Sequence, residues 1–177
     1  LVPNKWVNKL GFILVQAISL IVKNPRRFLR LVSYHDSKLK NNYKDKINWF
    51  IRTLPVVNNL PDIFHIQWAK SLEEWIFLKD IFDTKLVLSL RGSHITYSPL
   101  SDERLAKNYV AHFPKVDCFH AVSLAIANEA SKYLSIEKDI KVIYTAVDFE
   151  KLDRFRRTNR NVIKKFRFLS VGRYHWI

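Results

Sequence analysis

Four consecutive residues, Arg91-Gly92-Ser93-His94, carry the densest potential chemistry in this chain. An arginine can hold a phosphate or carboxylate through two parallel hydrogen bonds. A histidine can donate to a sugar hydroxyl or carry a proton near neutral pH. The chain has only three glycines. One placed between these two residues points to backbone that needs positive φ or a close approach to a ligand. A second pair, Gly172-Arg173, leaves the apolar run at residues 168–171 and could cradle a phosphate in the same way.

The remaining candidates are weaker on type and spacing. His65 and His120 lie inside apolar runs, where a histidine with a satisfied ring nitrogen is the ordinary reading. His35 and His112 read as surface residues. No histidine pair has helical metal-ligand spacing, and Cys118 is the one cysteine, so no zinc site is expected. P-loop, Gly-x-Gly-x-x-Gly and Gly-x-Ser-x-Gly patterns are absent from the sequence. Glu73 and Glu74 sit at a helix start, where they suit the macrodipole.

These residues need elements to hold them. Hydrophobic residues make up 48% of the chain, enough for a packed core and too many for a disordered tail. Residues 6–22 read as a buried or interfacial helix. Pro25 fits the first turn of a second helix over 26–34, capped by Asn24. A third helix opens in 41–48 and ends at Pro55. The rhythm then changes. Strands are expected at 62–68, Lys85–Leu90, 118–122, 140–144 and within 162–171. Helices are expected at 72–82, 100–113 and 124–134, the last capped by Ser123. Short apolar strands alternating with helices predict an α/β fold, a Rossmann-like doubly wound parallel sheet with helices on both faces. Ligands of such sheets sit beyond the carboxyl ends of the strands. The site loops are then 67–70, 91–98, Ser123, 145–148 and 172–175.

The net charge of +14 is concentrated at Lys23, Arg26, Arg27, Arg30, Lys38 and Lys40, and again at Arg154, Arg156, Arg157, Arg160, Lys164, Lys165 and Arg167. Such charge suits phosphorylated substrates or an anionic membrane surface. No nucleic-acid-binding motif accompanies it, so nucleic acid is not an expected partner. The apolar run at 10–22 falls short of the roughly 20 residues a bilayer span requires. A cytoplasmic protein, peripheral at the inner face of the membrane, is expected. The chain contains no methionine and opens on Leu1, which reads as a missing start.

In order and spacing, five segments resemble family 4 glycosyltransferases of the GT-B fold. They are similar to enzymes that build colanic-acid-like and other bacterial surface polysaccharides. The segments are Pro-Asp-Ile-Phe-His-Ile-Gln-Trp (61–68), Leu-Val-Leu-Ser-Leu-Arg-Gly-Ser-His (86–94), Val-Asp-Cys-Phe-His-Ala-Val-Ser (116–123), Ile-Lys-Val-Ile-Tyr-Thr-Ala-Val-Asp (140–148) and Phe-Leu-Ser-Val-Gly-Arg (168–173). The resemblance implies an N-terminal acceptor-side domain over residues 1–160, its start missing. Residues 161–177 would be a linker and the first strand of a truncated donor-binding domain. It implies transfer with retention from a nucleotide sugar to a glycan or lipid-linked glycan acceptor, without a metal or other cofactor. Arg173 would hold the donor diphosphate beside Gly172. Arg91, Gly92, Ser93 and His94 would line the sugar and acceptor side, with His94 and Arg91 as the catalytic candidates. A fragment of this kind is expected to be inactive alone.

Two departures from the family pattern stand out. The family's His-Gly-x-Asp reads Arg91-Gly92-Ser93-His94 here. Ala146 replaces the glycine of the Asn-Gly-Val-Asp turn, although Val147-Asp148 matches. A sugar-nucleotide epimerase of the same fold, and a non-catalytic basic domain binding anionic lipid or nucleic acid, are the alternatives.

Overall fold

The computed structural model describes residues 6–38 and 43–154. The strand expected within 162–171, and with it Gly172 and Arg173, lies outside the described residues. The chain divides into two units, Leu1–Tyr144 and Thr145–Ile177.

In the first unit, three long helices precede the sheet: α1 (Trp6–Lys23), α2 (Pro25–Lys38) and α3 (Tyr43–Asn58). Asn24 ends α1 and starts α2. Its N–H donates to the Leu20 carbonyl at 2.7 Å, and its side-chain oxygen accepts from the Arg27 N–H at 3.2 Å. The expected stop at Pro55 is not observed, since α3 runs through Pro55 to Asn58. Proline costs the helix one backbone bond. Leu54 and Val57, both fully buried, hold the final turn against the core, and the Asn59 N–H and side-chain amide both donate to the Pro55 carbonyl.

The sheet comprises β1 (Ile63–Ile66), β2 (Lys85–Leu90), β3 (Cys118–Ala121) and β4 (Ile140–Val142), all parallel and in the order β1-β2-β3-β4. The expected single helix at 72–82 is two, α4 (Leu72–Trp75) and α5 (Phe77–Phe82), after a 3-10 turn at Ala69–Ser71. Two short helices, α6 (Ser93–Thr96) and α7 (Ser98–Ser101), follow β2. The helix expected at 100–113 starts later, as α8 (Glu103–His112), because Asp102 is extended and caps it by accepting from the Leu105 N–H at 3.1 Å. Ser123 caps α9 (Leu124–Ser131) through the Ile126 N–H, as its position predicts.

Burial follows the period of two along the strands, except that Ser89 is fully buried on the face opposite the core. Ile66, Leu86, Leu88, Leu90, Phe119 and Ala121 share one face and belong to the core cluster, with Phe64 packed against it. All but Phe64 are fully or nearly fully buried. Each large side chain there contributes about 1.5–3 kcal/mol of burial. Trp49 of α3 and Tyr34 of α2 reach the same core by packing on Phe77 of α5, at ring-centroid distances of 5.4 and 6.1 Å. The opposite face carries Ile63, His65, Val87, Ser89, Cys118 and His120. Ile63 and Ile143 are 62% and 61% exposed there. Right-handed crossovers that step in one direction put their helices on one face. Among the described residues the strand order does not reverse, and the expected helices on both faces of a doubly wound sheet are not seen.

In the second unit, Asp148 caps α10 (Phe149–Asp153), accepting from the Lys151 N–H at 3.1 Å. The expected Val147-Asp148 turn is a helix start.

Candidate functional site

The site is built where the loops after β1 and β2 meet. Strand β2 delivers Arg91, and the chain must then fold at once into α6. Gly92 makes that bend with φ 49° and ψ −146°. An added Cβ would meet nothing within 4 Å. The glycine is therefore required by its backbone angles and not by crowding. The positive φ expected at this position is present.

Arg91 and His94 flank that bend, and both are partly buried. Arg91 Nε and His94 Nδ1 are buried without a hydrogen-bond partner among the described residues. The His94 ring stands edge-on against Trp68 at 4.9 Å, across from the end of β1. Its backbone carbonyl accepts from the Tyr109 hydroxyl at 3.0 Å. Burial, then the nearby Lys70 ammonium, holds the His94 imidazole below its ordinary pKa. The ring is thus kept neutral near pH 7, able both to donate and to accept. Ser93 is exposed and opens α6.

Beside this loop, on the sheet face opposite the core cluster, three polar side chains meet. The His65 Nε2 and the Ser89 Oγ are 2.9 Å apart, and Ser89 Oγ is 3.1 Å from His120 Nδ1. His120 Nε2 is 3.2 Å from the Ile143 carbonyl, to which it donates. Burial, then His120 and Arg91, lowers the His65 pKa. The influence of Arg91 ties this row to the loop. Each residue stands next to last in its strand. The parallel register sets Ser89 level with His120. It also sets Val87 level with His65, so the His65–Ser89 contact is diagonal.

The sequence-predicted residues Arg91, Gly92, Ser93 and His94 are brought together. Gly172 and Arg173 lie outside the described residues. Trp68 lies in the expected site loop 67–70, while sequence reasoning read His65 and His120 as separate histidines with satisfied ring nitrogens and gave Ser89 no role. The available signal was their shared place near strand ends, in a sheet whose pairing aligns such positions.

A cleft of about 560 Å³ opens elsewhere, between α3 and the segment carrying α4. Within it Arg52 pairs with Glu74 at 2.6 Å and Lys115 with Asp80 at 2.7 Å. Among the described residues no group of three or more His, Cys, Asp or Glu side chains could hold a metal ion. Comparison with family models, with curated proteins and with solved structures gives no match.

Proposed function

We propose that this chain is the acceptor-side domain of a retaining family 4 glycosyltransferase of the GT-B fold, moving a sugar from a nucleotide sugar to a glycan or lipid-linked glycan in polysaccharide synthesis. The observation that carries the reading is the Gly92 bend. It sets two buried polar atoms, Arg91 Nε and His94 Nδ1, at the carboxyl edge of a parallel sheet. Ligands of parallel α/β sheets bind at that edge. A guanidinium and a neutral imidazole match a sugar's hydroxyls and the phosphate that carries it. The glycosyl centre gains positive charge as the diphosphate departs, so fixed dipoles and charges there supply most of the stabilisation. In this reading Gly172 and Arg173 complete the donor side.

The exposed stripe of α1 favours a peripheral membrane setting. Leu10, Leu14, Val15, Ile18, Ile21 and Val22 are 43–77% exposed on one side of the helix. Ile13, Ala17 and Leu20 face the core. Among the described residues no helix is long and apolar enough to cross a membrane. The stripe adjoins Arg26, Arg27 and Arg30 at the start of α2, the pairing of apolar and basic surface that binds anionic headgroups. A lipid-linked acceptor would be met at such a surface.

The test is Arg91→Ala and His94→Ala in the complete protein, assayed for sugar transfer from a panel of nucleotide sugars. Loss of a charge-assisted contact of about 1.5–3 kcal/mol lowers turnover by roughly 10- to 150-fold. Transfer unchanged in both variants would remove the basis of the assignment.

A further inference from the structure

The row His65–Ser89–His120 has one fixed point that orients every hydrogen bond in it. The Ile143 carbonyl can only accept, so His120 Nε2 carries a proton. In a neutral ring His120 Nδ1 is then bare and accepts from the Ser89 hydroxyl. That hydroxyl has a single hydrogen, so its oxygen must accept from His65 Nε2. His65 Nδ1 is left bare, and the Gln67 amide donates to it at 3.0 Å. The same amide nitrogen lies 3.3 Å from His65 Nε2, but that nitrogen's proton is directed at Ser89. The bare Nδ1 sits on an exposed residue beside the loop that carries Arg91.

One added proton inverts the row without losing a bond. His65 Nδ1 takes the proton and Nε2 passes its own to Ser89. Ser89 then passes its hydrogen to His120 Nδ1. His120 becomes the imidazolium and still donates to Ile143. The Gln67 amide turns so that its oxygen accepts. The charge comes to rest two strands from the point of entry. That matters because Arg91 already places a positive charge near His65, and burial and His120 also disfavour an imidazolium there. Lys141 stands level with His120 but is paired with Asp139. Among the described residues, Cys118, two residues earlier on the same face, and Lys85, paired with Asp117, are the other titratable groups of the strands on this face.

We propose that the row is a proton relay, with His65 Nδ1 as the group that accepts the proton of a ligand hydroxyl and Ser89 and His120 as the residues that position it and carry the charge away. The identity of the hydroxyl as that of an acceptor sugar rests on the glycosyl-transfer reading. The step balances. The Gln67 amide gives up the Nδ1 lone pair to the acceptor O–H, which passes its proton to His65 Nδ1 as its oxygen bonds to the anomeric carbon on the face the diphosphate leaves, as retention requires. The bond from that carbon to the diphosphate oxygen breaks, and the electron pair leaves with the diphosphate.

Imidazole nitrogen NMR of the histidine-labelled chain, followed through an acid titration, tests the relay without any substrate. Near neutral pH both rings carry their proton on Nε2. On acidification the His65 proton moves from Nε2 to Nδ1 in the same pH interval in which His120 becomes doubly protonated. Ser89→Ala uncouples the two, and His65 then becomes doubly protonated itself. The relay is overturned if wild-type His65 is doubly protonated while His120 stays neutral, or if His65 carries its proton on Nδ1 at neutral pH. The wild-type spectra decide this even where Ser89→Ala does not fold. In the complete enzyme, Ser89→Ala lowers kcat by about 100-fold, the lower end of the usual range for acid–base help, with acceptor KM unchanged and an altered acid limb of the pH profile. An unaltered kcat and pH profile there overturns the relay's role in transfer. Arg91→Ala decides the glycosyl-transfer reading separately.

Discussion

Gly92 illustrates how a single residue type sets the geometry of the site. Its φ of 49° with ψ of −146° is open to glycine and strained for any other residue. Gly92→Ala meets no steric obstacle, so its cost is conformational and amounts to about 1–3 kcal/mol. Urea denaturation measures it, and an alanine variant as stable as wild type would show that the bend relaxes freely. The neighbouring imidazoles give a pH dependence. His65 and His94 both have folded pKa values below their unfolded value near 6.5. Between the folded and unfolded values the unfolded chain binds more protons. The stability these two rings contribute is therefore present above about pH 6.5 and is lost as pH falls below it. Stability measured from pH 7.5 to 5.5 should fall, and replacing both histidines with glutamine should flatten that slope.

Among the elements, the β2–β3 junction has the clearest single support. Asp117 accepts from the Leu86 N–H at 2.8 Å and from Lys79 at 2.9 Å, with Lys85 at 3.5 Å. Burial pushes its carboxyl pKa up, but the Leu86 N–H and Lys79 outweigh this and hold it below the ordinary range. Asp117→Ala leaves the N–H of a strand residue unpaired and should cost about 1–3 kcal/mol, read as a shift in the urea midpoint. The strands themselves were legible in the sequence, because β2 combines buried leucines at alternate positions with a charged first residue. So were the caps Asn24 and Ser123, whose side chains have a local mechanism. Pro55 misled because a proline's local penalty was outweighed by tertiary packing of Leu54 and Val57, which no local pattern reveals. Asp102 split the expected helix by the same capping chemistry that Ser123 uses, but inside a segment read as continuous. The candidate loop was legible through the scarcity of glycine. The His65–Ser89–His120 row was not, since it depends on register between strands more than 20 residues apart.

For the molecule as a whole, the two faces of α1 and the net charge of +14 carry the membrane proposal. Basic residues near an anionic surface contribute about 1 kcal/mol each. The protein should therefore co-sediment with vesicles containing anionic lipid and far less with neutral ones. Replacing Leu14 and Ile18 with serine should weaken that binding while the fold, judged by circular dichroism, is kept. Equal binding to both vesicle types would contradict it. The central claim, sugar transfer at the edge of the parallel sheet, is tested most directly by one assay. The complete protein is incubated with each nucleotide sugar and a lipid-linked glycan extract, and transfer is compared for wild type and Arg91→Ala. The account predicts transfer from one donor class and a loss of roughly 10-fold or more in the variant. No transfer from any donor, or the same rate in both proteins, would contradict it.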